Sequence, residues 1–279
     1  MSGTLYLVAT PIGNLEDITY RAVRLLGAVD LVACEDTRHT RKLLNHYGIQ
    51  AHTVSYHEHN EKERAEELCA ALLTGKSVAV VSDAGTPGLN DPGFRLVRLC
   101  AEKGVRVSCL PGPAAAIAAL TISGLPTDNF YFGGFLPAKK TARRAALAAV
   151  RELPATFIFY ETPHRIAHAL MDALEVLGER AAVVARELTK LYEEVARGTL
   201  SELAQAFSAP EKARGEMVLL IDRTPLSVTN TEETIERRLA ALVAELEAGG
   251  LTARDALKRA ARELSVKRDE AYRLLAGKI

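Results

Sequence analysis

A chain of 279 residues has room for two ordinary α/β domains and a tail, and 48% hydrophobic with 25% charged residues excludes wholesale disorder. Acidic and basic side chains are equal in number, so any contact with nucleic acid must come from local basic patches and not from a global field. Tryptophan is absent and aromatic residues are only 5%, which argues against extensive aromatic base-stacking.

Leu5 to Ala9 reads as a first strand, followed at once by the turn Thr10-Pro11-Ile12-Gly13-Asn14. Asp17 or Thr19 caps a helix through Leu26. Asp30 to Cys34 is a second strand ending in the polar cluster Glu35-Asp36-Thr37-Arg38-His39, and a helix is expected over Arg41 to Tyr47, stopped by Gly48. Val54 to Tyr56 is a short strand, and Glu61 to Leu73 an amphipathic helix ended by Gly75. The β-branched run Val78-Ala79-Val80-Val81 reads as a strand buried on both faces, stopping at Ser82-Asp83-Ala84-Gly85-Thr86-Pro87-Gly88. Phe94 to Lys103 is helical, Val105 to Leu110 a strand, and Pro111-Gly112-Pro113 its turn. Alternation of strands and helices with short links predicts a mostly parallel sheet, closed by a small-residue helix over Ala114 to Ser123.

A second α/β pattern follows the linker Leu125-Pro126-Thr127-Asp128. Strands are expected over Tyr131 to Phe135, Thr156 to Tyr160, Ala181 to Ala185 and Glu216 to Asp222, with helices over Thr141 to Leu153, to Leu177, and over Leu200 to Phe207. Its long links and hairpins predict a mixed sheet. The expected organisation is an N-terminal α/β domain over 1–123, a second over 124–226 completing a cleft, and a helical tail over 227–279. The tail carries expected helices over Glu232 to Glu247, from the cap Thr252 to Leu264, and over Lys267 to Leu275; it is locally basic and reads as a helix-turn-helix element or a solvated cap.

The cysteines Cys34, Cys69, Cys100 and Cys109 form no CxxC pair and lack metal-ligand spacing, so reduced thiols and no metal site are expected. No charged-then-apolar leader opens the sequence and no apolar run reaches ~18 residues, so a cytoplasmic protein without membrane contact is expected.

Function is read from the strand ends. The turns TPIGN, SDAGTPG and PGPA follow three strands of one sheet, and parallel strands place all three along one edge, where open α/β sheets bind ligands. None matches the dinucleotide GxGxxG fingerprint or a Walker loop. Backbone carbonyls, Asp83 and small apolar residues suit a ligand with a cationic or neutral body.

The segments TPIGNLEDIT, CEDTRHTRKLL, SDAGTPGLNDPG, PGPAA, FYETPHR and ARELTK, in that order, resemble the motifs of the tetrapyrrole-methylase fold superfamily. Their combination is similar to the branch that methylates a cytidine 2′-hydroxyl of small-subunit ribosomal RNA. The resemblance implies S-adenosylmethionine in a cleft between two α/β domains, a homodimer, and ribosomal RNA or the 30S particle as partner. It implies cofactor contacts at Pro11, Gly13, Ser82, Asp83, Ala84, Gly85, Leu89, Ala114, Ala115, Tyr160, Leu188 and Met217. Ala114 departs from the serine that relatives often carry after PGP, and Thr162 from the serine of FYESPHR.

A ribose hydroxyl is a poor nucleophile, so a nearby base, or a cation stabilising the forming alkoxide, is sought among residues that end strands. Glu35, Asp36 and Arg38, Glu161 and Arg165, and Arg186, Glu187 and Lys190 qualify, with Glu35, Lys190, Arg186 and Glu161 the catalytic candidates; His59 and His164 are further possible bases. Phosphate contacts are expected from Arg38, Arg41 and Lys42, from Lys139, Lys140, Arg143 and Arg144, and from Arg165, with Phe135 and Tyr131 stacking on a splayed base. Two alternatives stay open: a tetrapyrrole carbon methylase, and a non-catalytic ribosome-assembly factor.

Overall fold

The computed structural model of the chain describes residues 2–209, 212–225, 239–247, 249, 251–264, 266, 271 and 273. The chain divides into two compact units, Met1–Arg223 and Thr224–Ile279.

The first unit opens with strands β1 (Thr4–Val8), β2 (Leu31–Cys34), β3 (Thr53–Ser55), β4 (Val78–Val81) and β5 (Arg106–Leu110). They form one parallel sheet in the order β3-β2-β4-β1-β5. Every residue of β4 is buried, as expected of a central parallel strand covered on both faces. Its alternation divides the core. Val78 and Val80 pack with helices α3 (Glu61–Leu73) and α4 (Phe94–Glu102), while Ala79 and Val81 pack with α1 (Tyr20–Leu26) and α2 (Thr37–His46).

Caps decide where these helices begin. Of the two caps expected for α1, Thr19 is used, its hydroxyl accepting from Ala22 N at 3.1 Å; Asp17 lies in a 3-10 turn capped by Asn14. Helix α2 starts four residues before the expected Arg41, because Asp36 Oδ1 accepts from Arg38 N at 2.8 Å. The Asp36 carboxylate is held at about 2 by the hydrogen bonds of Arg38, which leaves that arginine as a cap partner on an exposed surface.

The second sheet has the order β6-β7-β10-β8-β9, from β6 (Phe130–Phe135), β7 (Thr156–Glu161), β8 (Arg180–Arg186), β9 (Glu194–Thr199) and β10 (Met217–Pro225). Strands β6 and β7 are parallel, β7 and β10 antiparallel, and β8 and β9 antiparallel, so the sheet is mixed as expected. Strand β9 is absent from the sequence reading. Helix α5 (Ala115–Ser123) covers one face through Ala116, Ala119 and Leu120, against Ile158, Val183 and Leu220. It was expected to close the first sheet. Helices α6 (Lys140–Val150), α7 (Ile166–Leu177) and α8 (Leu200–Ala206) cover the opposite face.

In the second unit, residues 239–247 are helical and Ala253–Glu263 forms a helix capped by Thr252, as expected; Leu239 and Val243 pack with Ala256, Leu257 and Ala260. The remainder of the expected first and third tail helices lies outside the described residues. Among the described residues no helix is long and apolar enough to cross a membrane.

The expected basic cluster on α6 needs correction. Arg143 is only 5% exposed; its guanidinium clamps Asp172 of α7, with Nη2 to Oδ2 at 2.6 Å, and also donates to Ala138 O. Arg144 bonds the other oxygen of Asp172 at 2.9 Å and pairs with Glu175. Both arginines therefore fasten α6 to α7, leaving Lys139 and Lys140 as the exposed cations of that segment. Arg143→Ala leaves the buried Asp172 with Arg144 as its remaining partner and is expected to cost less than the ~3–5 kcal/mol of a fully stranded charge in urea unfolding. Burial opposes the charge of Asp172, but hydrogen bonds from Arg144 and Arg143 win and hold its pKa below the ordinary carboxylate value. The clamp's contribution is thus present above that ordinary value and lost as pH falls through the depressed one. Urea midpoints measured on acidification should fall more steeply in the wild type than in Asp172→Asn.

Candidate active site

The turns after β1, β4 and β5 meet along one edge. Thr10 and Gly85 exchange backbone hydrogen bonds at 2.9 and 3.0 Å, Thr10 Oγ1 donates to Ser82 O at 3.2 Å, and Thr86 Oγ1 donates to Pro113 O at 3.0 Å. Gly85 takes φ +84°, a conformation that a side chain would strain. The three turns form a rim, as their spacing predicts.

Against this rim lies the edge of the second sheet, and the two enclose a cavity of about 640 Å³. From the first sheet it is lined by Ile12, by Asp83 to Thr86, and by Leu89, Asn90 and Asp91. Ala114 and Ala115 at the start of α5 join them. From the second sheet come Phe135, Tyr160 to Pro163, Glu187, Leu188, Lys190, and Gly215 to Val218. The volume falls in the range of ordinary small-molecule sites, and the lining is mostly apolar.

Among the residues expected at a cofactor, Asp83, Ala84, Gly85, Leu89, Ala114, Ala115, Tyr160, Leu188 and Met217 line the cavity. Pro11, Gly13 and Ser82 do not. Ser82 is buried beneath the rim, its hydroxyl directed to Ala84 O and Gly85 O. Gly13 acts at the seam between the loops: a Cβ there would lie 2.6 Å from Lys190 Cγ and 2.8 Å from Leu188 O.

The catalytic candidates separate. Lys190 lines the cavity, its ammonium 2.9 Å from Glu187 Oε1 and 3.0 Å from Glu216 Oε2; burial works against its charge, but these two carboxylates prevail and raise its pKa. Glu161 ends β7 at the cavity, yet it shares strand parity with Phe157 and Phe159, which face α6 and α7. Its side chain is wholly inaccessible and lies 2.9 Å from Arg165 Nη2. Glu161 thus stands in the lining as a buried carboxylate, and Arg165, which also donates to Leu136 O, is its ion-pair partner. Arg186 is taken by Glu194 on the neighbouring strand and lies outside the lining. Glu35 is not a lining residue either. His59 and His164 are exposed and line nothing here.

Of the expected RNA contacts, Phe135 lines the cavity and is 52% exposed, its ring 5.5 Å from that of Tyr160. Tyr131 instead rests edge-on against Phe157 and Phe159. Arg41 and Lys42 are exposed on α2.

The sequence reading missed Asp91, Thr86, Asn90, Glu216 and Gly215. Asp91 sits within the motif SDAGTPGLNDPG, where a carboxylate in a strand-end turn was the available signal. Burial, then the charge of Glu35, with Asp83 adding to it, push the Asp91 pKa up to about 6 against a Ser82 hydrogen bond. Burial and Asp83 likewise raise Glu35. This end of the cavity is short of positive charge.

The fold is that of a known methylase class. Residues 4–204 match the family model described as Tetrapyrrole (Corrin/Porphyrin) Methylases, and the chain belongs to that family. It is 52% identical over 246 residues to Ribosomal RNA small subunit methyltransferase I of Escherichia coli O157:H7, covering 88% of this chain and 86% of the relative. It is 45% identical over 274 residues to the protein of the same name in Halalkalibacterium halodurans, covering 98% and 94%. The fold is similar to the X-ray structure of a cobalamin biosynthetic enzyme, cobalt precorrin-4 methyltransferase, with TM-score 0.59 and 17% identity over 80% of this chain and 96% of that one.

The seam at Gly13 gives a direct test of how the rim is built. Gly13→Ala must displace the backbone at Leu188, an overpacking expected to cost about 1–3 kcal/mol. Urea unfolding should register that loss; wild-type stability in the variant would mean that the two loops do not abut.

Proposed function

We propose that this protein transfers a methyl group from S-adenosylmethionine to the 2′-hydroxyl of a cytidine in small-subunit ribosomal RNA. The observation that carries this reading is 45% identity over 98% of the chain to a relative named Ribosomal RNA small subunit methyltransferase I. A tetrapyrrole substrate has weaker support, because the precorrin methylase likeness at 17% identity speaks for the fold alone.

A methylase needs a methyl donor, and the cavity fits S-adenosylmethionine on two counts. Ile12, Ala115, Leu188, Met217 and Val218 offer apolar surface to a flat heterocycle. Asp83 and Asp91, with Glu35 behind them, crowd negative charge that a ligand carrying an ammonium and a sulfonium relieves. Bound there, the donor supplies an electrophilic methyl on a positively charged sulfur. Asp83, whose Oδ1 also accepts from Asp36 N at 3.2 Å, and the open backbone at Gly85 would hold its polar end.

The chain's own contribution is then mainly orientation, since in-line displacement requires the attacking oxygen about 3–3.5 Å from the methyl carbon. Phe135 and Leu89, exposed at the cavity mouth, offer surfaces on which a splayed base can stack. Lys190, kept protonated by Glu187 and Glu216, is a candidate to steady a developing alkoxide or a flanking phosphate. Lys139 and Lys140, exposed and paired with no carboxylate among the described residues, and Arg41 and Lys42 are proposed phosphate contacts. The proposal keeps a three-part division, with α5 moved from the first part (1–123) to the second (124–226) and the tail at 227–279, together with a homodimer and a cytoplasmic location with the small subunit.

Three measurements test the reading. Isotope transfer from S-adenosylmethionine to small ribosomal subunits, with the product mapped as a 2′-O-methylcytidine, should succeed; methylation of a tetrapyrrole, or of nothing, sinks it. Asp83→Ala and Gly85→Val should each weaken S-adenosylmethionine binding by calorimetry while circular dichroism stays native. Joint replacement of Lys139 and Lys140 by alanine should lower the log–log salt slope of RNA binding by about 0.7 per lost phosphate contact, leaving cofactor affinity unchanged.

A further inference from the structure

We propose that Arg21 and Arg24, on the exposed side of α1, form a second anion site that binds phosphates of the substrate RNA outside the cavity. The inference rests on the RNA reading and deepens it, naming where the strand flanking the target nucleotide is held.

The site is a depression of about 280 Å³ beside α1, at the β5 edge of the first sheet. Arg21, Arg24, Tyr6 and Ser108 line it, with Leu25 and Leu110 supplying apolar surface, and no aspartate or glutamate is among its lining residues. Sites that enclose a whole small molecule run to about 300–1,000 Å³, so this one suits a phosphate group with part of its sugar.

Spacing explains the pair. Residues three apart on a helix are surface neighbours, so Arg21 and Arg24 project side by side while Ala22 and Leu26 enter the core. Arg21 is aimed by the strand: its Nη2 donates to Cys109 O at 3.3 Å, which leaves most of the guanidinium donors open. Arg24 meets no acceptor among the described residues, and the hydroxyls of Tyr6 and Ser108 have no hydrogen-bond partner there either. Arg106, Ser108 and Leu110 alternate onto one face of β5, the face on which Leu110 packs with Ala22 and Leu26. Arg106 is exposed and, among the described residues, is a third cation without a carboxylate.

That lack of carboxylates separates this face from the neighbouring helices. Arg38 on α2, Arg64 on α3, and Arg95 and Arg98 on α4 each pair with an aspartate or glutamate. A depression lined by one sign of charge focuses its field, and guanidinium forks match phosphate oxygens in geometry.

Position ties the depression to the reaction. Cys109, whose carbonyl Arg21 holds, and Leu110 immediately precede Pro111-Gly112-Pro113, one of the three turns of the rim. Yet the depression shares no lining residue with the cavity. A nucleotide splayed into the cavity leaves its neighbours' phosphates outside, and contacts to those phosphates set register without reading sequence.

The test is binding of the full chain to small-subunit ribosomal RNA, followed by fluorescence anisotropy across a salt series. Combining Arg21→Gln with Arg24→Gln should lower the magnitude of the log–log salt slope by about 1.4, at about 0.7 per lost contact to a single strand. Glutamine keeps a donor for Cys109 O, so native circular dichroism and wild-type S-adenosylmethionine affinity are expected. Arg24→Gln alone removes no bond within the described protein and should lower the slope by about 0.7. Arg24→Lys, which retains the charge, should keep the wild-type slope. An unchanged slope in the double variant makes this a solvated face and overturns the proposal. So does a changed oligomeric state in sedimentation, which assigns the arginines to an interface between copies. Polyglutamate bound more tightly than RNA of equal charge assigns them to an acidic protein and overturns it too. Failure of the wild type to bind ribosomal RNA defeats the parent reading; binding that the pair does not influence defeats this inference alone.

Discussion

The paired hydrogen bonds between Thr10 and Gly85 are the constraint on which the site depends. They join the turns after two neighbouring parallel strands, β1 and β4, as a single bridge of antiparallel type beyond the end of the parallel pairing. That junction requires a left-handed backbone at Gly85, which a β-branched residue would resist. The turn after β5 is drawn in by the same logic: a Cβ at Gly112 would lie 2.8 Å from Ala9 Cβ, so only glycine lets the chains approach this closely. With the turns fastened to one another, their carbonyls and Asp83 form one surface, and the missing Cβ at Gly13 lets the loop from β8 close over it.

Charge is segregated across the cavity. Glu35, Asp83 and Asp91 belong to loops of the first sheet, whereas Lys190 and its carboxylate partners belong to the second. The acidic side is poorly compensated, and the rise in Asp91 to about 6 reports that imbalance. A carboxylate raised in this way adds its stability below the ordinary aspartate value and loses it as pH climbs through the raised one. Around neutrality the unliganded site therefore bears an electrostatic cost that a cationic ligand removes. The proposed preference for a positively charged donor rests on this repulsion, without a dedicated ion pair.

The first sheet was legible because its chemistry is uniform. Val78 to Val81 is apolar throughout, and only a strand covered on both faces explains such a run bounded by turns. Strand β9, Glu194-Val195-Ala196-Arg197-Gly198-Thr199, was not legible: it is a sheet-edge strand of mixed polarity whose pairing with β8 is a tertiary choice. Helix α5, AAIAALTIS, lacks a charged face, so its sequence could not say which sheet it covers. The errors at the site have a related cause. Motif position located Glu161 and Arg186 at strand ends, but Arg165 pairs with the buried Glu161 and β9 supplies Glu194 to Arg186. Arg143 and Arg144 read as a basic run because Asp172, the partner that buries the charge, is almost thirty residues away.

Backbone strain marks the same place by an independent route. Among the described residues, the non-glycine residues with positive φ are Asn90, Glu187 and Thr189, and all lie in loops at the cavity. Such conformations cost on the order of 1–3 kcal/mol each and persist only where their surroundings leave no alternative. Here the surroundings are glycines. A Cβ at Gly134 would overlap the Asn90 amide, and one at Gly215 would overlap the Glu187 carboxylate. Each strained side chain fills the space of a missing Cβ on another loop: Asn90 from the first sheet's loop against β6, and Glu187 against the turn before β10. Glu187 in turn fixes Lys190, and Asn90 precedes Asp91. Both charged groups facing the proposed reaction are thereby held by backbone geometry before any ligand arrives. For a displacement limited by alignment more than by acid–base strength, that pre-positioning is the larger part of what the fold supplies.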